Sequence, residues 1–166
     1  MRVRLLACVA MGCLALLWTG ATAALDAAAV DSRIKMAADN PQKPDQDGGG
    51  EKAFRLLVEA VAMAAPETEF PAEFGKKVEE ARKIFESGNA MNAKGISLLR
   101  DAYALASSGK DFRVPEGVAG PDQATAHILK QAEKARASLK QKKTGECARL
   151  LLEAALMIVT PVGATS

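Results

Sequence analysis

The segment Glu146–Val159 reads ECARLLLEAALMIV and is the most apolar stretch of the chain after its N-terminus. Its only charged residues are Glu146, Arg149 and Glu153. A helix that is apolar on nearly every side has to be buried on nearly every side. The segment therefore predicts the central helix of an all-α domain.

The composition also favours helices. The chain has 166 residues, which is enough for one domain with a substantial core. Ala, Leu, Glu, Lys and Arg are frequent, and they are good helix formers because they lose little rotamer freedom on a helix. We find no run of alternating β-branched residues of the kind that predicts a strand.

The first 23 residues have the three parts of a secretory signal peptide. Arg2 and Arg4 precede the apolar run Leu5–Trp18. Small residues then precede the bond between Ala23 and Ala24, where we predict cleavage. The sequence lacks a twin-arginine pair, so we expect the general secretion route and a periplasmic or secreted protein.

Two alternatives would keep this segment at the membrane. An uncleaved anchor needs about 20 apolar residues, and the run Leu5–Trp18 is shorter. Lipidation needs a cysteine that follows a Leu-rich run, but Cys8 comes too early and Cys13 lacks a Leu three residues upstream. We therefore predict that the mature chain, 24–166, is a single all-helical domain without a transmembrane segment.

Cleavage would change the charge and the cysteine content of the chain. It would remove Arg2 and Arg4 from the 22 Lys and Arg residues, which leaves 20 to face 20 Asp and Glu residues. A neutral chain lacks the electrostatic signature of a nucleic-acid binder. Cys147 would be the one cysteine left, so no internal disulfide forms and the fold rests on core packing.

The apolar spacings predict three antiparallel helical hairpins with five to six helices. The hairpins span 24–65, 72–107 and 122–159. In chain order, the mature chain has a first helix at 24–39, a flexible Pro- and Gly-rich loop at 40–50, helical hairpins over 51–159 and a tail at 160–166. Three is the smallest number of hairpins that stacks stably, so we favour a compact bundle over a short solenoid.

The hairpins resemble one another in sequence. The second and third share an apolar stripe at an offset of 54 residues, namely Phe74, Val78, Ala81 and Phe85 against Ile128, Ala132, Ala135 and Leu139. Their second helices match at Leu98–Ala102 and Leu151–Ala155, and Arg55–Ala60 matches Arg149–Ala154. We expect a weaker match for the first hairpin because its loop is long and its first helix is short. The alternative is that amphipathic Ala/Leu helices resemble one another without being repeats.

Few residues of the mature chain could support catalysis or bind a metal ion. The only histidine, His127, and the remaining cysteine, Cys147, lie at opposite ends of the predicted third hairpin, so they do not form a nucleophilic pair. One His and one Cys do not make a zinc site, and a Glu-x-x-His pair and a phosphate-binding Gly-rich loop are absent. We predict no enzymatic activity, no cofactor and no metal site, and we expect His127 at the surface or near a helix start.

Cys147 has two interpretations. It lies in the first turn of a helix close to several lysines, where an exposed thiol would have a lowered pKa and would be reactive. A buried cysteine instead behaves as a small apolar residue. We favour the buried interpretation.

One segment is rich in positive charge. We define the basic patch as the seven Lys and Arg residues between positions 130 and 149, which are Lys130, Lys134, Arg136, Lys140, Lys142, Lys143 and Arg149. It could bind an acidic protein or contact an anionic surface. The alternative is a solvated helix face with a polar turn. No aromatic residue lies between these charges, which argues against single-stranded nucleic acid.

The sequence thus favours an exported, non-catalytic interaction or scaffold module that binds another envelope or extracellular protein. The alternative is a carrier or sensor of a small ligand, with a pocket between the hairpins lined by Met63, Phe85, Tyr103 and Met157.

Overall fold

A computed structural model describes residues 25–39, 49–88 and 92–162. The predicted signal peptide and most of the predicted loop at 40–50 lie outside these residues. The described residues form six α-helices and one 3₁₀ turn at Ala65–Glu67, with no strand. The helices are α1 Ala27–Ala38, α2 Gly49–Ala64, α3 Ala72–Ser87, α4 Ala93–Ala106, α5 Pro121–Lys140 and α6 Thr144–Val159. The predicted all-α fold is confirmed.

The six helices pack as two layers of three. One layer contains α1, α2 and α3 with α2 in the middle, and the other contains α5, α6 and α4 with α6 in the middle. Between the layers, α1 packs on α5, α2 on α6 and α3 on α4. Each predicted hairpin is formed, and the third hairpin contacts both others, so the fold is a compact bundle.

Helix α6 is the most buried helix of the described chain, as its sequence predicts. Helices α2, α4 and α5 and the 3₁₀ turn all contact it. Its buried residues are Gly145, Cys147, Ala148, Leu150, Leu151, Leu152, Ala154, Ala155, Leu156 and Met157. The last helix in the sequence is therefore an inner helix, because α5 and α4 lie on either side of it within the same layer.

The stripe that relates the second and third hairpins is buried in both. The buried positions are Phe74, Val78, Ala81 and Phe85 in α3, and Ile128, Ala132, Ala135 and Leu139 in α5. In the second helices, Leu99 and Leu152 are equivalent, and both are fully buried. The repeated sequence pattern thus corresponds to a repeated packing pattern.

The first hairpin, for which we expected a weaker match, still shares an interhelical contact with the third. Arg33 of α1 bonds Glu59 of α2, and His127 of α5 bonds Glu153 of α6, each across 26 residues. Arg33 corresponds to His127, and Glu59 to Glu153, at the same offset that relates Arg55–Ala60 to Arg149–Ala154. Helix α1 is shorter than α5, but the longer connection that follows it restores the register.

The helix ends explain small differences from the predicted boundaries. Asp26 caps α1 and Asn92 caps α4 through side-chain bonds to backbone N–H groups. Helix α2 begins at Gly49, inside the loop predicted at 40–50. Glycine is tolerated in the first turn of a helix, where the N–H groups have no intrahelical partner in any case. Helix α5 ends at Lys140, since Lys142 has a positive φ of 59° and closes a Schellman turn.

Two aromatic contacts attach the linkers to the helices. Phe70, in the linker before α3, packs edge-on against Phe74 at a centroid distance of 4.9 Å. Phe112, in the linker before α5, is buried and packs edge-on against Tyr103 at 5.5 Å. Among the described residues, none of the helices has the length and apolar character needed to cross a membrane.

Candidate functional site

The structure divides the basic patch into two groups. Its five lysines are all exposed, three along the outer face of α5 and two in the turn before α6. None of them forms an ion pair with another described residue. These lysines are Lys130, Lys134, Lys140, Lys142 and Lys143.

The two arginines of the patch are occupied in ion pairs. Arg136 donates to Asp31 of α1 with an Nε–Oδ1 distance of 2.6 Å, which connects the first and third hairpins. This hydrogen bond holds the pKa of Asp31 below its usual value. Arg149 lies 3.5 Å from Glu153, one turn further along α6. The unpaired charges of the basic patch are therefore those of the five lysines.

Cys147 is buried, as the favoured interpretation predicts. Its side chain is inaccessible to solvent in the first turn of α6. Burial raises the pKa of the thiol to about 12, since the thiolate would lose its hydration. The nearby lysines point to solvent and do not reverse this effect. Cys147 is thus a core residue without nucleophilic character.

His127 lies in the second turn of α5, near the helix start as one of the two expectations has it, and not on the exposed surface. Its side chain is only 17% exposed, and its Nε2 atom lies 2.9 Å from Oε1 of Glu153. Gln131, one turn further along α5, places its Nε2 atom 2.7 Å from the same carboxylate oxygen and 2.9 Å from His127 Nε2. We name these three residues, His127, Gln131 and Glu153, the α5–α6 cluster.

The α5–α6 cluster was not predicted from the sequence, although its spacing signal was present. His127 and Gln131 are four residues apart, so they lie on the same face of a helix. The match between Arg55–Ala60 and Arg149–Ala154 aligns Glu59 with Glu153, and extending that alignment backwards pairs Arg33 with His127. A search along this register would have found a polar contact between the helices in both hairpins.

A second polar region lies on the other layer, along the outer face of α2 between α1 and α3. It is an open trough of about 430 Å³, lined by Arg33, Glu59, Ala62, Met63, Glu79, Arg82 and Glu86. Arg82 bonds both Glu79 and Glu86, and its hydrogen bond holds the pKa of Glu79 below its usual value. The charges of the trough are thus mostly paired with each other.

The four residues predicted to line one pocket have different surroundings. Met63 lines the trough on α2. Phe85 is buried and packs edge-on against Phe54 at 4.9 Å, and Tyr103 packs against Phe112. Met157 is buried in α6. These four residues therefore do not line one common pocket.

Within the part of the chain that the structure describes, no three His, Cys, Asp or Glu side chains are grouped to hold a metal ion. No family model, curated protein or solved structure matches this chain.

Proposed function

We propose that the protein is an exported, non-catalytic interaction module that binds an acidic envelope or extracellular protein through the lysines of the basic patch. Export rests on the signal-peptide pattern of residues 1–23. The observation that supports docking is the exposure of five lysines on α5 and the following turn, with no described residue of opposite charge paired to them.

The position of α5 suits this role. Among the described helices it packs against α1 and α6 alone, so it is an outer helix whose lysine-bearing face is exposed. Leu129 lies among the lysines and is 37% exposed, which adds an apolar contact to the charged surface. Charged surfaces of this kind mainly increase the association rate and select partners of the opposite charge.

A photo-crosslinking amino acid at Ala137, which is exposed on α5, should capture acidic proteins from the envelope fraction. The same group at Ser97, exposed on α4, is the positional control. The captured partner is then purified, and its affinity for the protein is measured at increasing salt concentration. We expect affinity to fall steeply with salt, because exposed charges are screened over about 10 Å at 0.1 M.

Matched charge-reversal variants identify the surface. The patch variant carries Lys130→Glu, Lys134→Glu and Lys140→Glu, and the control carries the same change at Lys52, Lys76 and Lys110, which are exposed elsewhere. The patch variant should lose about tenfold or more in affinity, and the control should lose much less. Equal losses would contradict docking through the patch. Binding to anionic phospholipid vesicles without binding to a protein would replace the acidic partner by a membrane surface.

The trough on α2 supports a second candidate function, the binding of a small ligand. Its volume of about 430 Å³ is within the range of ligand sites, and Ala62 and Met63 give it an apolar floor between charged walls. Met63→Arg would fill the trough while leaving the core intact, since Met63 is half-buried. If a ligand identified by mass spectrometry of the purified protein binds equally to this variant, the trough is not its site.

A further inference from the structure

The exposed face of α5 has a regular shape along the helix axis. Ala126, Lys130, Glu133 and Ala137 recur at spacings of four, three and four residues, so they lie on one line along the helix, and all four are exposed. We call this line the outer ridge. Its small end residues, Ala126 and Ala137, are about 16 Å apart at 1.5 Å per residue. Small side chains at both ends let another element approach α5 closely.

Lysines lie on both flanks of the outer ridge. Lys134 is seven residues after His127, which contacts α6, so Lys134 lies on the flank next to that helix. Lys140 is four residues after Arg136, which bonds Asp31 of α1, so Lys140 lies on the opposite flank. Neither lysine forms an ion pair with another described residue. An element lying along the ridge would therefore meet positive charge at both of its edges.

The ridge and its flanks together are positive and carry one apolar contact point. Three lysines, Lys130, Lys134 and Lys140, stand against one glutamate, Glu133. Leu129 precedes Lys140 by three helical turns, so it lies on the same flank, and it is 37% exposed. The charge complement of this face is thus an acidic element with an apolar stripe between its charges.

The backbone of α5 limits the form that this acidic element can take. Inside a helix the N–H and C=O groups bond to each other, so α5 offers side chains and no free backbone edge. An extended peptide gains affinity through main-chain hydrogen bonds to such an edge. A helix satisfies its own backbone and packs its side chains between those of another helix at an axial distance of about 8 to 10 Å. A helix therefore fits this face better than a strand.

We propose that the partner segment bound by the basic patch is an acidic amphipathic α-helix that lies along the outer ridge of α5. Its apolar stripe packs on Ala126, Ala137 and Leu129, and carboxylates on its two edges pair with Lys134 and Lys140, as charges flanking the seam do in coiled coils. The lysine stems cover the sides of the seam. This inference rests on the proposed function, because it names the form of the acidic partner at the same surface.

Photo-crosslinking at both ends of the ridge measures the form of the partner. The crosslinking amino acid replaces Ala126 in one variant and Ala137 in another, and mass spectrometry maps the crosslinked residues of the captured protein. Both variants should react with one continuous segment, at sites about 11 residues apart, because both helices rise 1.5 Å per residue. In an extended segment the same distance would separate the two sites by about five residues.

Two synthetic peptides of equal composition and charge provide an independent test. One carries glutamates at helical spacing on both edges of an apolar stripe, and the other has D-amino acids at two central positions, which disfavour the right-handed helix. The helical peptide should bind the protein about tenfold or more tightly than the second peptide. Lys134→Glu with Lys140→Glu should weaken its binding about tenfold, and the same change at Lys76 and Lys110, exposed on other elements, should have a much smaller effect.

The outcomes separate the form of the partner from its charge. Crosslinked sites about 11 residues apart support the helical partner. Sites about five residues apart, or equal binding of the two peptides, would overturn it and leave the acidic partner of the proposed function in place. If no acidic protein is crosslinked from either end of the ridge and neither peptide binds, the inference fails together with the proposed function.

Discussion

The first and third hairpins solve the same structural problem with different side chains. In both, a glutamate of an inner helix bonds a residue located 26 positions earlier on an outer helix. The first hairpin uses Arg33 against Glu59, and the third uses His127 and Gln131 against Glu153. The backbone register is the same, whereas the chemistry of the contact is different.

This difference is accompanied by a difference in burial. The side chain of Glu59 is 36% exposed, and that of Glu153 is 12% exposed. In the first hairpin, solvent hydrates both charges of the ion pair, and this screening reduces the contribution of the pair to the stability of the protein. In the third hairpin the contact is shielded, so each polar atom depends on its protein neighbours. A repeated position can therefore be an ordinary surface ion pair in one copy and a specialised polar cluster in the other.

The largest effect should come from charging the inner helices at equivalent core positions. Leu152→Asp on α6 and Val58→Asp on α2 each place a carboxylate where the native side chain is fully or almost fully buried. We expect each to cost about 5 kcal/mol or more, which is enough to unfold a domain of ordinary stability. Loss of the helical circular dichroism signal at 25 °C is the measurement.

Leu129→Asp is the control for this pair, because Leu129 is 37% exposed and should change stability by about 0.5 kcal/mol or less. If Leu152→Asp stays folded and only loses a binding partner, the face of α6 that carries Leu152 is an interface and not core. If Leu152→Asp on α6 unfolds the protein and Val58→Asp on α2 does not, the two inner helices are not equivalent.

The next effect distinguishes the two glutamates. Glu153→Ala leaves His127 and the buried amide of Gln131 without their acceptor, and we expect a loss of about 2 to 3 kcal/mol in the free energy of unfolding. Glu59→Ala removes a more exposed ion pair and should cost about 0.5 to 1 kcal/mol. Urea unfolding at neutral pH measures both. Equal losses would show that burial does not separate the two hairpins.

A third prediction concerns the close approach of α3 and α4 at Gly95. A methyl group at this position would lie 2.5 Å from two ring carbons of Phe85, so Gly95→Ala should cost about 2 kcal/mol despite the higher helix propensity of Ala. The third hairpin has Ala148 and Leu139 at the equivalent positions. Adding Phe85→Leu to Gly95→Ala should therefore recover part of the loss.

The double-mutant cycle for Gly95 and Phe85 should give a coupling of about 1 kcal/mol, because the two residues share one contact. Gly75→Ala is the matched control. Its methyl group would meet only Ala65 at 3.8 Å, so the substitution should stabilise α3 by about 0.5 to 1 kcal/mol. Additive effects at Gly95 and Phe85 would contradict the equivalence of the hairpins.

The fold could be predicted because the sequence has few competing patterns. The run Glu146–Val159 is too apolar for any place except the interior, and the stripe beginning at Phe74 has a helical period. Turn residues such as Gly88 and Lys142 lie where the helices end. The order of the helices within each layer did not follow, because every hairpin offers a similar apolar face to its neighbours.

The candidate site was less accessible to sequence reasoning. The basic patch is a local run of charges, so it was found, but the pairing of Arg136 with Asp31 spans 105 residues and depends on tertiary structure. His127 was evaluated as a partner of Cys147 and as a ligand beside other His and Cys residues. Glutamine was not considered and glutamate only within a Glu-x-x-His pair, because both are common on exposed helix faces and carry no signal without a register between two helices.

The smallest effect concerns the pair that joins the compared hairpins, Asp31 of α1 and Arg136 of α5. The Arg136 guanidinium lowers the pKa of Asp31 below its usual 3.8. Because the pKa of Asp31 is lower in the folded state, the pair stabilises the protein at a pH above the pKa of Asp31 in the unfolded chain. This contribution is lost as the pH falls through the pKa of Asp31 in the folded protein. Asp31→Asn should therefore be slightly less stable than the wild type at pH 7, and the difference should shrink in acid. Urea unfolding of both proteins at pH 7 and near pH 3 measures it. A difference that stays constant between these pH values would show that the pair adds no charge-dependent stability and that the hairpins are joined by apolar packing alone.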